Sequence, residues 1–515
     1  MKSFEIRVSP EEIEDREKLH HRILTQAKPS APQRFDWRIA KKSLDARGRN
    51  PVFVLRIECW EGESPPLETL RGFEPASLSD RRAVIVGAGP AGYFAALRLL
   101  EHGIRPIVLE RGKDVRTRRF DIKALYKGIV NPHSNYCFGE GGAGTYSDGK
   151  LHTRSTKRGD MRRVLDLFCA FGAKESIRVE AHPHLGSNRL PGIVKAMREA
   201  IVSAGGEVRF GAFVRDLMLE NGQFRSVILE DGMRVAGEGL ILASGHSARD
   251  VYAMLHARGI RVEAKPFAMG VRIEHPQAAV DAIFYGASPR HRNLPPAEYR
   301  LTCQATGRGV FSFCMCPGGY VVPASTAPGE LVLNGMSFAE RGGSFANAGL
   351  VTEIRLSDLK EDPSENPFCA LDFQRRVETA MFRGGNGSQE APAQRATDFV
   401  AARLSASLPE TAYIPGAYSA PLHAWLPPVV SEALSEGLRI LGRQYRGFLT
   451  EEATLLGVES RTSAPIRIPR DPETRMHPGV RGLFPCGEGA GYAGGIASAA
   501  MDGLASADAF ARFSP

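Results

Sequence analysis

An α/β fold built around a parallel strand–helix–strand unit, with one α+β unit before it and another after it, is what this 515-residue sequence predicts. Three observations carry the reading. A short apolar run, 83–86, enters a glycine-rich turn that opens a helix. A second apolar run, 106–109, follows that helix. Hairpin turns at Asn221-Gly222 and Asp231-Gly232 then lead back to an apolar strand at 240–243. The length suits about three domains at roughly 150 residues each.

The elements follow in chain order. Phe4, Ile6 and Val8 alternate with polar residues, which predicts a strand. Ser9-Pro10-Glu11-Glu12 has the form of a capping box with proline at the first helical position, so a helix is expected from there to about Thr25. Residues 51–60 are rich in Val, Ile and Phe and read as another strand. Residues 61–80 lack periodicity and are rich in Glu, Pro, Ser and Gly, the composition of a linker. Residues 91–102 are rich in Ala and Leu, with Gly103 placed to end the helix. Ile193, Met197, Ile201 and Ala204 recur at helical spacing. Strands at 208–210, 214–219 and 226–229 form, with the two hairpin turns, an antiparallel meander. From 261 to 449 strands and helices mix between Gly/Pro breaks, which reads as a separate, substrate-facing unit.

The first motif is Gly87-Ala88-Gly89-Pro90-Ala91-Gly92, a G-x-G-x-x-G between strand and helix. Gly87 permits the tight turn, Gly89 lets the backbone approach a pyrophosphate, and Gly92 lets helix and strand pack closely. The helix N-terminus offers unpaired N–H groups and a partial positive charge to phosphates. Glu110 ends the next strand 18 residues past Gly92, a place where an acid accepts hydrogen bonds from a ribose and repels a 2′-phosphate, which argues against NADP here. Arg111 and Val214 join this set of expected cofactor contacts. The motif in its context predicts a Rossmann-type dinucleotide site.

A second glycine loop, Phe138-Gly139-Glu140-Gly141-Gly142-Ala143-Gly144-Thr145, is either a linker or a backbone pressed against a flat ligand. Its flanking Phe138 and Tyr146 favour a turn beside a flavin ring. A third stretch runs from Gly482 through Gly487, Glu488, Gly494 and Gly495 to Ile496, where a small-residue helix begins. In a FAD protein that acid can bind a ribityl hydroxyl, and the helix N-terminus can face the flavin C2 carbonyl. Tight packing through small residues accounts for 497–500 but not for Glu488. Leu242-Ala243-Ser244-Gly245 is similar to the hydrophobic-Ala-Thr-Gly strand of two-dinucleotide flavoproteins, with Ser244 in place of Thr.

Candidate reactive groups lie elsewhere. In Cys314-Met315-Cys316-Pro317-Gly318-Gly319 two cysteines lie two residues apart on an expected strand, and one of them is expected to face a flavin. The turn after Cys316 makes that thiol the expected one, exposed at a domain rim, as acid or nucleophile. A pair of small half-buried residues is the equal alternative. Arg272 either orients a substrate carboxylate or pairs with Glu274 or another acid. His246 reads as a general acid or as a hinge hydrogen bond, with Arg249 near it. Nothing resembles a Ser-His-Asp set or a metal cluster.

These stretches together resemble a bacterial family of uncharacterised FAD-dependent dehydrogenases. The resemblance is carried by KSLDAR (42–47), FGEGGAGTYSDGKL (138–151), GHSARD (245–250), KPFAMGVRIEH (265–275), FSFCMCPGGYV (311–321), APAQR (391–395), GVESRTSAPI (457–466) and GEGAGYAGGI (487–496). This sequence departs from the family at Cys137 and Cys486. The resemblance implies FAD, a glutathione-reductase-like FAD-binding domain divided by an inserted α+β substrate domain, and an added N-terminal domain. The corresponding ranges are 1–75 for the N-terminal domain, 76–260 with 450–515 for the FAD-binding domain, and 261–449 for the substrate domain.

Composition bounds the function. No apolar run reaches the roughly 18–20 residues that span a bilayer, and the acidic N-terminus is no secretory signal, so no membrane partner and a cytoplasmic place are expected. Eight cysteines without a CxxC give neither a disulfide framework nor a zinc site. A net charge of +8 reads first as a solvated basic surface and second as a docking face for a dinucleotide or RNA. One complete G-x-G-x-x-G is present, where glutathione-reductase-type enzymes that hold NADPH carry two. An NAD(P)H donor therefore binds transiently, or the reductant is itself the substrate. The expected activity is an FAD-dependent oxidoreductase acting on a small molecule; an RNA-modifying flavoenzyme and a flavin-bound sensor without turnover are the alternatives.

Overall fold

The computed structural model describes residues 1–48, 50–66, 69–152 and 159–514. Leu67 and Glu68 of the expected linker lie outside the described residues.

The chain opens with a three-stranded antiparallel sheet in which Val52–Glu61 lies between Lys2–Val8 and Phe35–Asp45. The helix on it, Arg16–Ala27, starts later than the capping-box pattern predicts. Ser9 and Glu12 do bond reciprocally, Glu12 N–H to Ser9 O and Ser9 N–H to Glu12 Oε2, but they close a single turn. Asp15 then caps the helix by accepting the Lys18 N–H at 3.0 Å. The strand Phe35–Asp45 was not expected: it is polar and only half-buried along its length, so it lacks a clear alternation.

The second layer is a five-stranded parallel sheet in the order Leu483–Pro485, Gly239–Leu242, Arg82–Val86, Arg105–Glu110, Glu207–Phe210. Helix Pro90–Glu101 crosses from the third of these to the fourth, as the motif predicts, and Gly103 follows it in the left-handed region. Helix Ile496–Arg512 packs against Pro90–Glu101 so closely that a Cβ on Gly503 would lie 2.2 Å from the Ala91 carbonyl. The expected meander forms its own sheet from Val214–Glu220, Gln223–Leu229 and Arg234–Ala236.

A seven-stranded sheet makes the third layer, with Arg308–Cys316, Phe345–Ile354, Phe267–Pro276 and Thr454–Glu459 as neighbours in that order. The late strand Thr454–Glu459 thus pairs in this sheet, and the chain crosses back to the parallel sheet after it, through the short ribbon of Ile466–Arg467 with Glu263–Ala264. Among the described residues no helix is long and apolar enough to cross a membrane.

Candidate functional site

Turns held open by glycine build one end of a large cavity. Gly87 has φ +104°, and a Cβ there would lie 2.3 Å from the Ala243 carbonyl. On Gly92 a Cβ would lie 1.9 Å from the Gly87 carbonyl, so this glycine serves helix–strand packing and does not line the cavity. Gly89 and Gly495 are the N-cap residues of the two helices that open on the cavity, and neither can cap with a side chain. Their first-turn N–H groups remain available to a ligand.

Glu110 lines the cavity at 5% exposure. Its Oε1 accepts N–H bonds from Gly112 (2.9 Å) and Gly139 (3.0 Å), and its Oε2 accepts one from Ala88 (2.9 Å). Beyond the ribose role expected of it, this acid is a strut that ties the first glycine turn to the second. Oε2 keeps acceptor capacity for one more donor. Gly139 and Gly141 do not face the cavity as expected; both are left-handed and hold the second loop in place, Gly141 N–H bonding the Ala88 carbonyl at 2.8 Å. Arg118, which sequence reasoning missed, is fully buried and donates to the carbonyls of Asn135, Tyr136, Gly139 and Glu140. Four buried carbonyls need such a donor, but nothing local in the sequence marks it.

Gly142, Ala143 and Gly144 then form a cavity wall opposite Gly89, Pro90 and Ala91. Arg111 lies between the rings of Phe138 (4.5 Å) and Phe213 (4.6 Å), paired with Asp250. Val214, Ala243, Ser244, Gly245, Gly487, Glu488, Gly494, Gly495 and Ile496 also line the cavity. The buried Ser244 hydroxyl has no hydrogen-bond partner among the described residues. Glu488 accepts the Gly495 N–H, and its other oxygen is 3.8 Å from His246 Nε2. Burial pushes the His246 pKa down, with Glu488 opposing, so the ring is held neutral. Its Nδ1 meets the Ser247 hydroxyl at 2.8 Å. An orphaned hydroxyl, two uncapped helix starts and side-chain-free turns fit a dinucleotide with a pyrophosphate and a flat ring.

The same cavity, about 1820 Å³, continues to the seven-stranded sheet and to Lys42, Ala46 and Phe53 of the N-terminal sheet. Small-molecule sites typically hold roughly 300–1,000 Å³, so a dinucleotide leaves room for a second molecule. Here the structure corrects the choice of thiol. Cys316 is fully buried and off the cavity wall, whereas Cys314 lines it. The reason is an irregularity in the pairing of Arg308–Cys316 with Phe345–Ile354 between Phe313 and Cys316, with Cys314 at φ +44°. That bulge turns the outward face by one residue.

Arg272 does not face the cavity either. It is fully buried, pairs with Glu459 at 2.8 Å, and bonds Asn347 Oδ1 and the Cys314 carbonyl (2.8 Å each), so the structural ion pair is the correct reading, with Glu459 and not Glu274 as the partner. Lys150 and Asp148 sit on the wall beside Cys314; they pair at 2.8 Å, Lys150 Nζ also donates to the Met315 carbonyl, and Arg341 closes the group on Asp148 at 2.7 Å. Both lie at the end of the second glycine motif, where their place within SDGKL (147–151) was the available signal.

Comparison with known proteins adds the cofactor. A model of a FAD binding domain matches residues 80–124, and a model described as FAD-dependent protein, C-terminal domain-like, matches residues 266–462. A domain of unknown function matches residues 1–60. FAD is therefore the cofactor of this chain. An uncharacterised protein of Clostridium beijerinckii is 41% identical over 487 residues, covering 90% of each chain. Among solved structures, CtdE in complex with FAD covers 84% of both chains at 12% identity and a TM-score of 0.35. A geranylgeranyl bacteriochlorophyll reductase-like protein from Thermoplasma acidophilum covers 83% of this chain and 77% of its own at 11% identity and a TM-score of 0.36.

Proposed function

This chain belongs to the same family as the clostridial protein, and from that premise we propose that it is an FAD-dependent oxidoreductase acting on a small organic molecule. Bound FAD supplies hydride chemistry at the flavin N5. The observation that carries the reading is the single cavity joining uncapped glycine turns at one end to a thiol and a Lys–Asp–Arg group at the other. The arrangement we propose is glutathione-reductase-like, with a nucleotide-binding part divided by a substrate-facing part.

In this reading the N–H groups of Gly89 and Ala91, at the start of Pro90–Glu101, hold the pyrophosphate, Glu110 Oε2 accepts a ribose hydroxyl, and Ser244 Oγ and Glu488 serve the middle of the cofactor. The N-terminus of Ile496–Arg512 stabilises negative charge on the ring edge it faces. His246, neutral and beside Glu488, takes or gives a proton at Nε2. The remaining volume, walled by Phe313, Cys314 and Lys150, receives the substrate, with NAD(P)H as a transient donor.

Anaerobic mixing of the purified protein with NADH, NADPH and a panel of metabolites tests this. Bleaching of the flavin by at least one of them is expected. A flavin that none of them reduces would overturn the enzymatic reading in favour of a flavin-bound sensor.

A further inference from the structure

We infer that Cys314 and Cys316 form a redox-active dithiol, one thiol facing the cavity and the other buried beneath it, which exchanges two electrons with the flavin. The inference rests on the flavin occupying this cavity, as proposed above. Its first support is position. Cys314 lines the cavity and Cys316 is fully buried, the division of labour between an attacking and a resolving thiol. No other two of the eight cysteines are so close in sequence.

The second support is reach. Two residues apart in an extended strand span about 6.6 Å between Cα atoms. That span already falls within the roughly 4.4–6.8 Å that a disulfide bridges. The two thiols already hydrogen-bond each other, and Cys316 Sγ also lies 3.3 Å from the Cys314 carbonyl.

The third support is charge. Lys150 Nζ donates to the carbonyl of the residue between the two cysteines, and Arg272 Nη2 reaches the Cys314 carbonyl at 2.8 Å and Cys316 Sγ at 3.7 Å. The hydrogen bond from Cys316, with Lys150 and Arg272 and against burial, pushes the Cys314 thiol down to about 5. The same bond and burial push Cys316 up. Cys314 is thus the thiolate and Cys316 keeps its proton.

The step balances. Oxidation of the Cys314 thiolate and the Cys316 thiol forms one Sγ–Sγ bond and releases one proton and two electrons. The oxidised flavin accepts both electrons and that proton, leaving a disulfide and the anionic reduced flavin. Run in reverse, the same step carries reducing equivalents to a substrate that contains a disulfide or another thiol-reducible bond. That substrate class follows from a thiolate placed in the open part of the cavity.

The test uses the holoprotein. It is oxidised with diamide, freed of reagent and titrated anaerobically with dithionite, while the proteolytic peptide holding both cysteines is weighed. Four electrons per flavin are expected for the parent, two for Cys314→Ser and for Cys316→Ser. The parent peptide should be lighter by two hydrogen atoms before reduction. Equal electron uptake by all three proteins, or a parent peptide whose mass does not change, would overturn the dithiol. The peptide mass is read on the parent alone, so the result stands even if a variant folds poorly. Dithionite needs no organic substrate, so a failure of every metabolite to bleach the flavin would sink the proposed enzymatic role without altering this count.

Discussion

The two ends of the cavity are made of different material. At the dinucleotide end the wall is mostly backbone: Gly87, Gly89, Gly142, Gly144 and Gly495 leave the space a side chain would fill, and Glu110 is held in place by three amides. At the thiol end the wall is side chain, with Lys150, Asp148, Arg341 and Cys314 facing the space and Arg272 with Glu459 buried behind them. A backbone wall is rigid and indifferent to pH. A wall of paired charges is tunable and energetically exposed, because removing one partner strands the other in a medium that solvates it poorly.

Substitutions on the two sides should therefore fail differently. The largest effect is expected from Arg272→Met, which leaves Glu459 and Asn347 without their buried partner and should cost about 3–5 kcal/mol, read by denaturant unfolding. The folded fraction should still carry flavin; loss of flavin in proportion would erase the distinction between the two ends. Gly87→Ala comes next. Its Cβ meets the Ala243 carbonyl at a left-handed residue, so overpacking and backbone strain together should cost about 2–5 kcal/mol. Here flavin content, measured by absorbance after gel filtration, should fall first.

A third expectation concerns pH. Burial pushes Glu274, two residues along the strand from Arg272, up to about 7. Between its ordinary value of 4.5 and about 7 the folded chain holds a proton that the unfolded chain has lost, so stability falls as pH rises through that window and is level above it. At about 1.4 kcal/mol per pKa unit the loss is about 3 kcal/mol, and Glu274→Gln should remove it. Glu459, which burial also raises to about 7, keeps its own slope over the same window in that variant. An unchanged profile in Glu274→Gln would show that this carboxyl is solvated.

The same contrast governs how much could be read in the sequence. A backbone wall demands glycine at fixed positions, so the three glycine stretches, the βαβ unit around Gly87 and the helix after Gly495 were legible, and FAD with them. The thiol end depends on geometry with no residue signature. Alternation along Arg308–Cys316 would put Cys314 and Cys316 on one face, and it is the bulge after Phe313 that separates them, Cys314 to the cavity and Cys316 into the interior. Arg272 was visible as a charge in an apolar stretch, yet its partner, Glu459, lies 187 residues away. Arg118 serves carbonyls that acquire their need for a donor only when the loop folds.

The N-terminal sheet has a history as well as a place. Its buried Ile6, Val8, Leu19, Ile23, Phe53, Leu55 and Ile57 belong to one apolar core with Phe267, Met269, Val271 and other residues of the seven-stranded sheet. Its Lys42 also bonds residues 179 and 181 through backbone pairs. A ribosome adding roughly 5–20 residues per second finishes the first 61 residues roughly 10–40 s before it reaches residue 267. For that interval an apolar face stands without the layer it is shaped to meet. Production in a cell should therefore depend on whatever shelters nascent chains, and overexpression that outruns this protection should send the protein into inclusion bodies by way of its first sixty residues.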